Sequence, residues 1–245
     1  MSAAELAAAS AVVFLAFFAR GVSGFGSATV AIPLLVHVMP LKVAVPLLLV
    51  HDLLSTAATA HIDRRAVVRS EIAALLPFSM AGVIFGVTLL LAVPATPLLA
   101  ALGALVIVFG VRTIANPQGR RHIARWWCAP AGFIGGALGG AFGIGAATPS
   151  MIYLTHRLAD KHAVRGTFAA FGLFDYAYRL VVFAVTGLLL SRELLIAVLA
   201  TLPAMALGMY LGNRLHGRIS GERAFQVIGG LLVASGASLL WKALR

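Results

Sequence analysis

Charge is what this 245-residue chain has least of. Only 11% of its residues are Asp, Glu, Lys or Arg, where soluble domains carry about 25%. With 61% hydrophobic residues and a mean hydropathy of +0.99, that scarcity excludes a soluble globular domain. A single cysteine, Cys128, excludes an internal disulfide, and no cysteine spacing suits a metal. The first apolar run has no positively charged lead: Glu5 precedes it and the first basic residue is Arg20. Residues 6–19 are therefore expected to be retained rather than removed as a secretory signal. H-E-x-x-H is absent, and no serine or cysteine stands beside a base in a recognisable motif, so an enzyme is not expected. Without G-x4-G-K-[ST], the chain has no means of its own to use ATP, and neither cofactor nor metal is expected. Acidic residues are few as well, 8 against 19 basic, for a formal net charge of +11. The excess is scattered among short loops rather than striped along one face. That distribution argues against a nucleic-acid partner and for the loop-charge bias of membrane proteins.

What the chain does have is apolar runs and a duplication. Runs long enough to cross a bilayer, about 20 residues each, recur throughout. Read with an offset of 119, GFGSAT at 24–29 returns as GIGAAT at 143–148, followed by Leu35/Leu154, His37/His156 and Lys42/Lys161. At an offset of 126, Leu76, Pro77, Gly82 and Gly86 return as Leu202, Pro203, Gly208 and Gly212. Gly103/Gly229 and Gly110/Gly236 follow. The halves are 1–118 and 119–245, two transmembrane repeats within one membrane domain. Repeats whose apolar segments are interrupted at matching positions are the best pointer in a sequence to a transporter's binding site.

Each half opens with a segment too long for one simple span. Residues 6–39 are interrupted at Gly21, Gly24 and Gly26, and residues 126–156 around Gly135–Gly145. Each is either one long broken crossing or a hairpin that enters and returns. Three ordinary spans follow in each half: 43–60, 72–92 and 97–112, then 166–190, 194–213 and 224–241. The positive-inside rule separates the two parities. With hairpins, one face collects the basic residues of the loops at 64–69, 112–125, 157–165 and 214–223. That makes 13, against 4 on the other face (Lys42, Arg192, Lys242 and Arg245). With single crossings the tally is 10 against 7. The expectation is an all-α membrane protein whose halves are inverted, each a glycine-broken re-entrant hairpin plus three transmembrane helices, with both termini outside.

A broken backbone at membrane depth is tolerated only against protein or a water-filled cavity. Glycine permits the torsions, and the helix that restarts presents N–H groups and a positive dipole end. Gly24, Phe25, Gly26, Ser27 and Thr29 would supply one such end, and Gly143, Gly145 and Thr148 the other, together an oxyanion cradle. The competing reading is close helix packing by small residues, which suits Gly135, Gly136, Gly139 and Gly140 well.

At these residues a resemblance becomes specific. Two glycine-rich breaks of the form G-x-G-G-G-x4-P opening two homologous halves resemble the sulfite exporter TauE/SafE family. The first block matches at Gly24, Gly26 and Pro33, with Ser27 and Ala28 in glycine positions. The second matches at Gly143 and Gly145, with Ala146 and Ala147 in glycine positions, Pro149 displaced, and Ile152 where the proline is expected. The resemblance spans essentially the whole chain. It implies a multi-pass permease of the cytoplasmic membrane for small sulfur-containing or organic anions such as sulfite, sulfonates or sulfoacetate. An anion channel using the same helix ends is the alternative. The expected partners are the anion and the bilayer, and the small-residue faces pack either within one chain or between two copies in a homodimer.

Four ionisable residues fall within apolar stretches: Arg20, Asp52, Asp175 and Arg179. Each should face the interior or pair. Arg20 precedes the first break and either reaches an anion there or serves the tip of the hairpin. Asp175 and Arg179, spaced i, i+4, either neutralise each other or present Arg179 to a sulfonate or carboxylate. Tyr176 and Tyr178 flank them and either donate to the same ligand or merely pack. His51-Asp52 is either a proton-coupling pair or a static hydrogen bond.

Overall fold

The computed structural model describes residues 2–23, 26–59, 67–115, 123–144, 149–215 and 221–244, and among these there is no strand. Ten α-helices follow in order: α1 (Ala3–Ser23), α2 (Ser27–Leu35), α3 (Leu41–Thr59), α4 (Arg69–Ala92), α5 (Ala95–Ala115), α6 (Cys128–Phe142), α7 (Pro149–Arg157), α8 (Lys161–Val185), α9 (Arg192–Leu215) and α10 (Gly221–Leu244). A 3-10 turn at Arg125–Trp127 leads into α6. Five helices, α1, α3, α4, α8 and α9, are long and apolar enough to cross a membrane. Local chemistry marks several helix ends. Ser2 and Glu5 exchange side-chain and backbone hydrogen bonds at the head of α1, a capping box. Asp160 accepts from the backbone N–H groups of His162 and Ala163 at the head of α8.

The breaks lie later in each segment than the glycine content alone suggests. α1 runs through Gly21 to Ser23, and α6 runs unbroken through Gly135, Gly136, Gly139 and Gly140 to Phe142. All four keep helical torsions, and Gly136 and Gly140 lie against the carbonyl oxygens of Ser79 and Val83 of α4, which bears out their packing role and corrects only the expectation of a break beginning at Gly135. Among the described glycines, positive φ occurs only at Gly26, Gly143 and Gly187.

The helices form two compact units, neither of which is a sequence half. One comprises residues 1–51, 92–117 and 190–245, the other residues 52–91 and 118–189. The first unit thus joins the broken segment of the first half to α9 and α10 of the second. The other joins the broken segment of the second half to α4 of the first.

Within each unit the broken segment is held by a glycine seam. In the first unit, Gly208 and Gly212 of α9 lie against the carbonyl oxygens of Phe14 and Phe18 of α1. In the second, Gly82 and Gly86 of α4 lie against those of Phe133 and Ala137 of α6. A Cβ at any of the four would collide with backbone. Phe14/Phe133 and Phe18/Ala137 correspond at the offset of 119, as Gly82/Gly208 and Gly86/Gly212 do at 126. One seam has therefore been built twice, and glycine is required because the two backbones themselves are in contact. α5 and α10 meet differently: Gly103 lies on Gly236 O and Gly110 on Gly229 O, so these two helices run antiparallel.

Both ends of the second broken segment reach the first turn of α4. Arg125, ahead of α6, donates to Ser70 O at 3.0 Å. At the end of α7, Tyr153 donates to Glu71 Oε2 at 2.5 Å and Arg157 Nε stands 3.3 Å from Glu71 Oε1. Around them Ile72, Leu75, Cys128, Leu154, Val164 and Phe171 form the apolar core of this unit. In the first unit the chain leaving α2 is fastened to the end of α10, where Lys242 Nζ donates to Val36 O at 2.8 Å.

Candidate functional site

In the first unit α1 ends and α2 begins around residues 24–26. Gly26 adopts φ 89 and ψ 13, immediately ahead of Ser27, the first residue of α2. Among the described residues no side chain caps this helix, and a Cβ built on Gly26 meets nothing within 4 Å. Left-handed backbone and open space are what glycine supplies at a place where a ligand approaches the main chain. Arg20, buried in the last turn of α1, donates from Nη1 to Ser27 Oγ at 3.1 Å. Its guanidinium also lies 5.9 Å from the centre of the Phe17 ring. A cation and a hydroxyl are thus joined at an uncapped helix N-terminus, the donor set an oxyanion needs. Thr29 is half-buried in the same first turn. Gly24 and Phe25 lie outside the described residues.

The second break follows Gly143, which closes α6 at φ 68 with its N–H on Gly139 O. Gly139 O also accepts from Arg179 Nη1 of α8 at 3.3 Å. Arg179 Nη2 donates to Asp175 Oδ2, and Asp175 Oδ1 accepts from Ser79 Oγ of α4 at 2.5 Å. Arg179 and Asp175 are almost wholly buried, so the pair neutralises itself while pinning α8 to α6 and α4. Position 139 corresponds to position 20 at the offset of 119. Each broken segment therefore carries one guanidinium at the end of its first helix. Arg20 brings it on α1 itself, whereas Arg179 reaches from α8 to the glycine that stands where the other half has arginine. Arg179 Nε and Ser150 Oγ, in the first turn of α7, are buried polar atoms with no hydrogen-bond partner among the described residues. Tyr176 rather than Tyr178 lies beside the guanidinium, 5.5 Å from ring centre to Cζ. Gly145 and Thr148 lie outside the described residues.

His51 is fully buried and both its ring nitrogens have partners: Nδ1 lies 2.8 Å from Leu47 O and Nε2 3.1 Å from Thr201 Oγ1. Asp52, next along α3, is also buried, and its carbonyl accepts from Ser55 Oγ. The sequence reading missed Glu71, Ser79, Ser150 and Thr201. A glutamate in a span's first turn looks like an ordinary interfacial charge, and only Tyr153 and Arg157, more than eighty residues on, bury it. Ser79 gave one signal: it lies three residues ahead of the seam glycine Gly82, on the face of α4 that meets Gly132 and Gly136 of α6.

The family model for the sulfite exporter TauE/SafE matches residues 9–239. The chain belongs to that family. It is thus a multi-pass membrane protein of a transporter family of the sulfite exporter type, and not of an enzyme family. No curated protein and no solved structure matches it.

Proposed function

We propose that this chain is a secondary carrier of the cytoplasmic membrane for small sulfur oxyanions or organic sulfonates, with sulfite and sulfoacetate the leading substrates. Each glycine break offers an anion donors of its own: Arg20, Ser27, Thr29 and the main chain after Gly26 at the first, and at the second Ser150 of α7 and the unpartnered Nε of Arg179, whose Nη2 is paired with Asp175. The observation that carries this reading is the buried Arg20–Ser27 contact at an uncapped, glycine-led helix start. Membership in a family of the sulfite exporter type supports a substrate of this class.

Alternating access follows from two opposed copies of one unit. Inverted halves are supported by the antiparallel α5–α10 contact, because single crossings of the broken segments would make those equivalent helices parallel. Re-entrant hairpins are supported by Arg125 and the Tyr153–Arg157 pair, which bring both ends of one broken segment to the same turn of α4.

The test is ligand-dependent thermal stability of the purified protein across sulfite, sulfate, sulfoacetate, taurine and simple carboxylates. A ligand at 100 times its Kd adds about 2.7 kcal/mol if it binds only the folded state. Selective stabilisation by one sulfur anion, abolished in Gly26→Leu, is expected. A panel with no response, or an equal response in Gly26→Leu, would contradict the site.

A further inference from the structure

Beyond the anion, the packing around His51 points to a second ligand. Leu47 O can only accept, so the Nδ1 atom facing it at 2.8 Å carries a proton whatever the charge of the ring. Thr201 Oγ1 stands 3.1 Å from Nε2 and 2.7 Å from Ala197 O. A hydroxyl has one proton and two lone pairs. With the ring neutral, Thr201 donates to Nε2. When a proton binds the Nε2 lone pair, the new N–H donates to Thr201 Oγ1 and the hydroxyl proton turns to Ala197 O. One N–H bond forms, no heavy atom moves, and the ring gains one positive charge. Burial ordinarily disfavours a charged imidazole. Here every ring N–H has an acceptor in both states, so either state is accommodated.

The site is wired to the first break. The Phe17 ring of α1 lies 6.0 Å from the His51 ring and 5.9 Å from the Arg20 guanidinium. Of the charged residues near His51 in sequence or through Phe17, Arg20 lies three residues beyond Phe17 on α1 and Asp52 adjoins His51 on α3. Those of α9, Arg192, Glu193 and Arg214, stand at that helix's ends. We infer that His51, with Thr201 as its proton-switching partner, takes up the proton that accompanies the anion. This rests on the carrier reading above. The imidazole and the Arg20 guanidinium, each about 6 Å from the Phe17 ring centre, are at most about 12 Å apart. Even at that limit of about 12 Å, an effective dielectric near 20 gives an anion held at Arg20 and an imidazolium a mutual effect of about tenfold. Linkage makes the effect reciprocal: proton raises anion affinity and anion raises proton affinity by the same factor.

The test is nitrogen NMR of histidine-labelled protein in nanodiscs between pH 5.5 and 8.5, with sulfoacetate as probe and radiolabelled sulfoacetate binding measured on the same samples. His51 is expected to pass from one ring N–H to two as pH falls. Thr201→Val, similar in volume but unable to accept from Nε2–H, should need about ten times the proton concentration, and Thr201→Ser should restore wild-type behaviour. Bound sulfoacetate should allow the change at about one-tenth of the proton concentration. A ring fixed in one state across the range, or a Thr201→Val protein that titrates like wild type, would overturn the proton site. Sulfoacetate that binds without moving the titration would overturn the coupling and leave the carrier reading standing. If sulfoacetate does not bind, the substrate reading is what has failed, and the Thr201 variants alone decide the proton site.

Discussion

Replacing Gly208 by alanine tests the seam on which the first broken segment hangs. The added methyl would stand 2.5 Å from Phe14 O, and the neighbour is backbone, which cannot turn aside. To restore an ordinary contact α1 and α9 must part by roughly 1 Å. Overpacking of this kind costs about 1–3 kcal/mol. Alanine also favours helix over glycine by about 1 kcal/mol, which would mask part of the loss. Gly230→Ala in α10 isolates the seam, since a Cβ there meets nothing within 4 Å and the propensity gain is the same. The gap between the two variants is then the seam alone. At 2–4 °C per kcal/mol for a chain of this size, it amounts to roughly 2–12 °C in melting temperature. The assay is thermal unfolding of both proteins in one detergent, followed by an intrinsic spectroscopic signal. Because the seam is duplicated, Gly82→Ala should fall to a similar extent. Equal melting temperatures for Gly208→Ala and Gly230→Ala would refute the reasoning.

Tyr153→Phe removes the hydroxyl that donates to buried Glu71 while leaving the ring in its core, and should cost about 1.5–3 kcal/mol in the same melt; no change would make that hydrogen bond incidental. His37, in the turn after α2, has its pKa lowered, first by burial and then by the Lys242 ammonium. A base held below its ordinary 6.5 favours the neutral folded form, so its contribution is complete above pH 6.5 and is lost as pH falls toward the lowered value. Melting temperature should therefore decline less steeply below pH 6.5 in His37→Gln than in wild type, and parallel profiles would remove His37 from the account.

Much of the fold was legible because apolar runs and loop charges are one-dimensional signals. The span expected at 43–60 is α3 (Leu41–Thr59), and that at 194–213 is α9 (Arg192–Leu215). The duplication located both breaks, but the glycine run at 135–140 was ambiguous. Glycine lets a helix end and equally lets two helices touch, and the facing carbonyls of α4 decide for contact. The buried charges were visible wherever they interrupt apolar sequence, as at Arg20, Asp52, Asp175 and Arg179. Their partners were not, since Ser79 lies 96 residues from Asp175 and Thr201 lies 150 from His51. Nor did the duplication show that each unit would be assembled from pieces of both halves, because seam glycines and their partner carbonyls belong to opposite repeats.

The most direct test is uptake of radiolabelled sulfite into proteoliposomes holding wild type, Gly26→Leu or Arg20→Ala, each confirmed as folded by its melting curve. Saturable uptake by wild type that is lost in Gly26→Leu and strongly weakened in Arg20→Ala is the predicted result. Uptake by both variants at the wild-type rate would place the anion's path elsewhere and contradict the account.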